Sequence, residues 1–512
     1  ESTILSLIHC IPDRDEQSAV KVWEAIRDKK ELLALLKKLI EPDMTQAEVQ
    51  KLKKKILDKN YFPKLKDSND YLSAIIQKAG PTIVSKKQID QIITMFIEKK
   101  EDDILKSLLF CSDNVPYLFC NSFSQLAALL NESDDDEVVT ATLKMLLSVG
   151  RGLEESDFEI ASSMESRLLE LAEKGNAKQA KYATRAIAKI YVTPDILYAK
   201  LYEKLVPKLE YNESIEVVLS ALCEIGAHGH DTFSSKESTV VNFILDELIL
   251  KVREDEDEST KEELNLHTRC RLIGCKTLSS YLVSMITSET LAAGHSVIQK
   301  RIVDTLWNLL EYNGNLLSYH NKLPKKPFGY KPPKPKASGK KSVTKKTTDE
   351  EEISPAKSPG DAPAPEEQSE EKFGDGFGEY DAAMVRVAVV KSLIDLSSAG
   401  GHILTLTNDR FLRLSYSILD PVPEVRAGII TKLYSLLRLS KLNTRYLAML
   451  VLGMMDPLPE HTTLVKKYFS DIIPQLRREI RSVNPENPPT LDSEGSFQIF
   501  PEYALPYLVY IL

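Results

Sequence analysis

The stretch Phe411–Leu437, FLRLSYSILDPVPEVRAGIITKLYSLL, decides the reading of the fold. Leu412, Leu414 and Ile418 are spaced for the buried side of a short helix. Asp420-Pro421-Val422-Pro423 ends that helix, because proline lacks an amide donor and restricts the residue before it. A second helix is expected next, with Val425, Ile429 or Ile430, Leu433 and Leu436 recurring at three- and four-residue steps. The same punctuation, Asp-Pro-x-Pro-Glu, returns thirty-six residues later at Asp456–Glu460. Neither hairpin buries its apolar stripe alone, so each must stack on its neighbours.

A helix, an Asp-Pro turn, Val-Arg and a second helix resemble the HEAT repeat, a unit of about 40–47 residues. The expected fold is all-α, a HEAT-repeat α-solenoid, curved or hooked; an array of other helical hairpins is the plain alternative. Size agrees, since 512 residues exceed one ordinary hydrophobic core. Hydrophobic residues make up 43% of the chain, and only 20 glycines occur, with few strand-like runs bounded by turn signals. The net charge of −9 excludes a generic polyanion binder, so any nucleic-acid contact needs a local basic face.

Working outward, the chain divides into four parts. Residues 1–100 read as a lysine-rich helical region of the solenoid. Val22, Trp23, Ile26, Leu32, Leu33, Leu35, Leu36 and Ile40 form amphipathic stripes, and Lys51, Lys53, Lys54, Lys55, Lys59, Lys64 and Lys66 follow. Residues 101–320 read as HEAT repeats. Leu105, Leu108 and Leu109 precede an expected break at Cys111–Pro116; Ala141 and Ala183 hold equivalent places 42 residues apart. Asp134-Asp135-Asp136 lies in an interhelix turn, where acids cap helix N-termini. Residues 321–378 form a charged insert. Lys322–Lys346 holds ten lysines and no acid, Asp349–Asp375 ten acids and two lysines, a composition expected to be disordered. Ser354 and Ser358 each precede proline there, as sites for proline-directed kinases do. Residues 379–512 return to HEAT repeats. The chain starts at Glu1 and closes on apolar Leu508–Leu512 where a solenoid would carry a polar cap, so both ends are expected to be cut from a longer protein.

No motif for catalysis stands out, and the chain reads as non-enzymatic. Gly339-Lys340-Lys341-Ser342 lacks the first glycine of a phosphate-binding loop and follows no strand. Cys10, Cys111, Cys120, Cys223, Cys270 and Cys275 make no CxxC pair and read as reduced thiols. Cys270 and Cys275 with His267 do not fill a structural zinc site, so no metal is expected. His228 and His230 flank Gly229 in an expected loop and read as solvent-exposed. No run approaches the roughly 20 apolar residues of a membrane-spanning helix.

Several segments resemble one family. They are Lys174-Gly175 with Lys178-Gln179-Ala180-Lys181-Tyr182-Ala183, Ile187 and Ile190; then Ile225-Gly226, His228, Asp231, Phe233, Val241, Phe243-Ile244 and Leu248. Met384, Arg386, Ala388 and Leu393, then Val425-Arg426, Lys432-Leu433, and Pro501-Glu502-Tyr503 with Pro506-Tyr507 continue in order. Together they resemble the Pds ("precocious dissociation of sisters") cohesin regulators over residues 100–512, with residues 1–100 fitting more loosely and the insert departing from the family. The resemblance implies a fragment lacking the N-terminal repeats of a nuclear, chromatin-bound scaffold. That scaffold docks on the kleisin subunit of cohesin, contacts other cohesin subunits and the Wapl release factor, and regulates maintenance and release of sister-chromatid cohesion. Some members bind inositol hexakisphosphate in a lysine-lined pocket, which the sequence does not locate.

The family's kleisin contact falls near the start of this chain, making Trp23, Arg27, Lys29 and Lys30 candidates; the plain reading of Trp23 is core. Lys178, Lys181 and Arg185 form a second candidate surface, or simply a solvated helix face. Two other functions compete. A karyopherin-like HEAT adaptor would bind transport signals, and a direct nucleic-acid binder would use Lys51–Lys66 and Lys322–Lys346, with affinity falling steeply with salt.

Overall fold

The structure is a computed structural model, in which residues 23–39, 46–59, 61, 72, 75–76, 86–114, 119, 122–149, 158–191, 193–252, 259–288, 297–316, 378–399, 406–482 and 501–512 are described. Among these residues every regular element is helical and no strand occurs. Helices α1 (Lys30–Leu39) and α2 (Gln46–Asp58) pack together, followed by the hairpin of α3 (Lys86–Lys99) and α4 (Asp102–Asn114). Next come α5 (Phe123–Glu132) with α6 (Asp136–Val149), α7 (Phe158–Lys174) with α8 (Ala177–Ile190), and α9 (Pro194–Leu205) with α10 (Ile215–His228). The short α11 (His230–Ser234) and α12 (Glu237–Asn242), with a π-helical turn at Phe243–Ile249, lead into α13 (Leu266–Thr287). Then α14 (Val297–Glu311) precedes α15 (Glu379–Ser398), α16 (Asn408–Tyr416) precedes α17 (Pro423–Arg438), and α18 (Arg445–Leu452) precedes α19 (Pro459–Ser482). Helix α20 (Ala504–Ile511) packs on α18.

The trailing helices of the hairpins form one row, α4, α6, α8, α10, α13, α15, α17 and α19, each packed on the next. Their buried apolar residues belong to a single continuous core running from Ile26 to Ile511. A core shared between neighbours and repeated along one axis defines a solenoid. The chain is thus an all-α solenoid of two-helix units.

The deciding stretch folds as its spacing predicts. Leu414, Ile418, Val425, Ile429, Ile430 and Leu433 are fully buried, while Leu412 packs half-buried against them. Asp420 turns the chain by accepting the Val422 amide at 2.9 Å, and Pro423 opens α17, where a missing N–H costs nothing. Asp456 accepts the Leu458 amide at 2.8 Å in the same way before α19.

These two aspartates do more than turn the chain. Arg386 of α15 reaches the Asp420 carboxylate with both Nε (2.6 Å) and Nη2 (3.0 Å). One hairpin later, Arg426 of α17 grips Asp456 identically, at 2.7 and 3.1 Å, and donates its remaining nitrogen to the Asp420 and Pro421 carbonyls. Each arginine therefore ties its own hairpin to the turn of the next. The Arg426 and Asp456 side chains are only 5% and 1% exposed. Burial opposes ionisation of Asp456, but Arg426, the Leu458 amide and His461 outweigh it and hold its pKa below the usual range. Asp381, fully buried at the start of α15, accepts the Gly378 and Ser259 amides (both 3.1 Å) and the Thr268 hydroxyl, anchoring α15 to α13.

Two glycines permit close approach. Gly314, past the end of α14, adopts φ +71°, and a Cβ there would lie 2.4 Å from the Ala382 carbonyl oxygen of α15. A Cβ on Gly274 of α13 would sit 2.9 Å from Ile244 in the π-helical turn.

Some boundaries differ from the sequence expectation. Helix α4 continues through Cys111 to Asn114, because the apolar stripe of Leu105 and Leu108 extends to the partly buried Cys111 and the buried Ser112. His228 is the last residue of α10 rather than part of a loop; Gly229 follows it, and His230 opens α11. Ala141 and Ala183 are both buried on packed trailing helices, as their equivalence requires. Asp135 receives the Glu137 and Val138 amides at 2.8 and 3.1 Å, the capping role expected of that turn. Residues 253–258, whose sequence Arg-Glu-Asp-Glu-Asp-Glu is strongly acidic, and nearly all of the charged insert (residues 321–377 of 321–378) fall outside the described residues.

Breaking one rung should be costly. Asp456→Ala leaves a buried guanidinium unpaired and is expected to destabilise the local unit by about 3–5 kcal/mol. The double change Arg426→Met with Asp456→Leu should lose much less. Hydrogen-exchange protection across residues 423–482 reads both, because a repeat array need not unfold in one step.

Candidate docking face

Helix α8 supplies the best-defined group of candidate residues. Its start is fixed by Asn176, whose side chain accepts the Lys178 and Gln179 amides at 3.1 and 3.0 Å. Gln179 returns a bond to the Asn176 amide, completing a capping box. The Gln179 amide nitrogen also donates to Asp136 at the start of α6, at 2.8 Å. The helix is thereby locked in register, and its outward residues have defined positions.

Three candidates on α8 meet different fates. Lys178 is exposed. Lys181 is half-buried, 5.6 Å from the Tyr182 ring centroid, and burial followed by the nearby Lys276 lowers its pKa. Arg185 turns inward, placing Nε 2.8 Å and Nη2 3.1 Å from the two oxygens of Glu224 on α10. Arg185 is thus occupied in linking two hairpins, as Arg386 and Arg426 are further along.

Glu224 is the residue that the sequence reading passed over. Its side chain is 2% exposed, with His228 Nε2 3.6 Å from the same oxygen that Arg185 Nε reaches. Burial alone would raise its pKa, but His228 and Arg185 outweigh that and pull it down to about 2. A single acid inside the apolar run Val217–Ala227 was the available signal, since a lone charge there needs a partner on a neighbouring helix. Lys144 on α6, 5.8 Å from the Tyr182 ring centroid, and Lys276 on α13 were also passed over.

The other candidates lie far along the chain from α8. Trp23 is half-buried and packed against the core, and Arg27 is exposed with Nε 3.8 Å from Asp28. Lys29 and Lys30 are exposed where α1 begins. Lys59 pairs with Glu31 at 2.7 Å and ties the end of α2 to the start of α1. Ser354 and Ser358 fall outside the described residues, as does Lys322–Lys346. Cys270 and Cys275 are buried, and burial pushes the Cys275 thiol up to about 12. Among the described residues no cluster of three or more His, Cys, Asp or Glu could hold a metal, and no helix is long and apolar enough to cross a membrane.

The whole chain, residues 1–512, matches the family described as "Sister chromatid cohesion protein PDS5 protein". The chain belongs to the PDS5 family. It is 21% identical to PDS5 homolog B-A of Xenopus laevis over 543 residues, covering all of this chain and 33% of that protein. Against PDS5 homolog A of Arabidopsis thaliana it is 25% identical over 291 residues, 54% of this chain and 18% of the other. Human PDS5 homolog A is 20% identical over 531 residues, covering 98% and 34%. The chain therefore spans about a third of the length of these full-length matches. Among solved structures, an engineered protein aligns at TM-score 0.29 and 13% identity, covering 92% of this chain and 98% of that one. The karyopherin Kap121p bound to RanGTP aligns at TM-score 0.27 and 11% identity, covering 99% and 50%. The PDS5 match spans both the candidate residues around Trp23 and those on α8.

The Glu224 pair makes a pH prediction. A carboxyl held near 2 in the folded chain, against an ordinary value of 4.5, contributes stability that is complete above about 4.5. That contribution disappears as pH falls toward about 2. Thermal melting of the wild-type chain should therefore drop between pH 5 and pH 3 more than that of Glu224→Gln, and the two curves should converge at the acid end.

Proposed function

We propose that the chain is a non-catalytic scaffold that binds the cohesin complex through its kleisin subunit. In this reading it regulates maintenance and release of sister-chromatid cohesion, in the nucleus and on chromatin, together with the Wapl release factor and other cohesin subunits. The observation that supports it is the family match along all 512 residues, carried on a row of stacked helices. A solenoid offers a long continuous surface, and such surfaces suit extended segments anchored by a few side chains.

Two stretches are proposed as contacts. The first is Trp23 with Arg27, Lys29 and Lys30, where a half-buried aromatic ring adjoins exposed cations. The second is Lys178 and Lys181 on α8, with Arg185 positioning that helix against α10. The proposal extends to inositol hexakisphosphate as a bound polyphosphate, with no residue assigned to it, and to modification of Ser354 and Ser358.

The test is capture of cohesin's kleisin by the chain. Reversing two exposed charges with Lys29→Glu and Lys30→Glu is expected to cut capture about tenfold if both face the partner. The pair Lys466→Glu and Lys467→Glu on α19 serves as the control for net charge and should leave capture unchanged. No capture by the unaltered chain would overturn the proposal.

A further inference from the structure

Three lysines stand on successive parts of the trailing-helix row with no ion pair among the described residues: Lys144 on α6, Lys181 on α8 and Lys276 on α13. Lys144 and Lys181 both approach the Tyr182 ring, at 5.8 and 5.6 Å from its centroid. Between α8 and α13 lies α10, whose residues Val218–Gly226 are all buried. Helix α10 packs against both α8 and α13, so Lys181 and Lys276 stand on the two helices that flank it, within electrostatic reach of each other. The acid there, Glu224, is already gripped through both oxygens by Arg185. Glu224 attracts Lys181 without forming an ion pair with it, and Lys181 holds its charge half-buried beside a second cation, Lys276.

The surroundings select the ligand. Acids rim the N-terminal ends of the same helices: Asp134 to Glu137 at α6, Glu213 and Glu216 at α10, and Glu262 and Glu263 before α13. Lys178, at the start of α8, is the exception. The three lysines sit further along their helices, so acids flank the basic strip on its N-terminal side, of which Asp134 pairs with Arg167 and Glu216 with Arg269. A duplex would bring phosphates over that rim and be repelled, whereas one extended chain following the lysines would not. Packed helices are about 8–10 Å apart, so α6 to α13 spans about 24–30 Å, the reach of about eight extended residues.

We infer that Lys144, Lys181 and Lys276, with Tyr182 between the first two, form a docking strip for a short, extended acidic peptide whose carboxylate or phosphoryl oxygens meet the three ammonium groups. The inference rests on reading this row of helices as a docking face and adds the chemical class of what docks. Tyr182 supplies an apolar surface for a side chain of the peptide, and Arg185 acts as a positioning residue by fixing α8 against α10.

The experiment is fluorescence anisotropy of the full chain with a labelled peptide of about twelve residues, alternating glutamate and serine with two phosphoserines. A labelled DNA duplex of equal charge forms the second arm. The double variant Lys181→Glu, Lys276→Glu is expected to weaken peptide binding about tenfold or more, while Lys466→Glu, Lys467→Glu changes it less than about twofold. Where the reversal lowers the melting temperature, Lys181→Gln with Lys276→Gln replaces it and should still weaken binding severalfold. No peptide binding, equal losses in test and control variants, or a duplex bound more tightly through the same lysines would overturn the inference. Kleisin capture measured in parallel judges the cohesin reading separately, because it is scored on a different partner.

Discussion

A guanidinium clamped through two nitrogens onto the carboxylate of the next hairpin's turn is the interaction on which the solenoid's register depends. Hydrophobic burial holds the helices together but has no direction, and it would tolerate sliding of one hairpin along another. The pairs Arg386–Asp420 and Arg426–Asp456 do not tolerate it, because a bidentate fork fits a carboxylate in one geometry. Each aspartate also accepts a backbone amide of its own turn, so the ion pair, the turn and the following helix start are one unit. Buried pairs of this kind give little net stability relative to apolar packing. Their value here is specification: they define which turn lies against which helix.

The same division of labour explains which surface charges are left for partners. Arg185, Arg386 and Arg426 are consumed by acids on neighbouring hairpins, and Asp381 is consumed by backbone amides and a hydroxyl. Lysine, with a flexible stem and a strongly hydrated head, is poorly suited to such buried forks. Lys144, Lys181 and Lys276 remain on the trailing row without an ion pair among the described residues, and the docking strip is made of them, whereas Lys189 and Lys432 are tied to neighbouring helices.

Much of the architecture was legible in the sequence, for a physical reason. The Asp-Pro-x-Pro-Glu turns and the three- and four-residue apolar steps around Leu414 and Ile429 are local signals, and local signals set helix ends and buried faces. The small residues Ala141 and Ala183 were likewise readable, because close helix packing constrains size at one position. The site was less legible. Arg185 looked like a surface cation because its partner, Glu224, lies thirty-nine residues away on another helix. Lys181 and Lys276 stand on either side of α10 only because α8, α10 and α13 stack in that order, a relation that no single helix encodes. In the sequence Gly229 reads as the centre of a turn, which places His228 in a loop; in the structure Gly229 caps α10 and His228 ends it.

The contact between Gly314 and Ala382 carries a consequence for how this solenoid can vary. The chain departs after α14 and re-enters at α15 through points whose backbones touch, with Arg386 also donating to the Asn313 carbonyl at 3.0 Å. Whatever joins those two points spans almost no distance, and the entropic penalty of closing a longer connection rises only logarithmically with its length. Sequence can therefore be added or removed between them while the helices on either side keep their places, which makes this seam a natural port for acquiring regulatory segments.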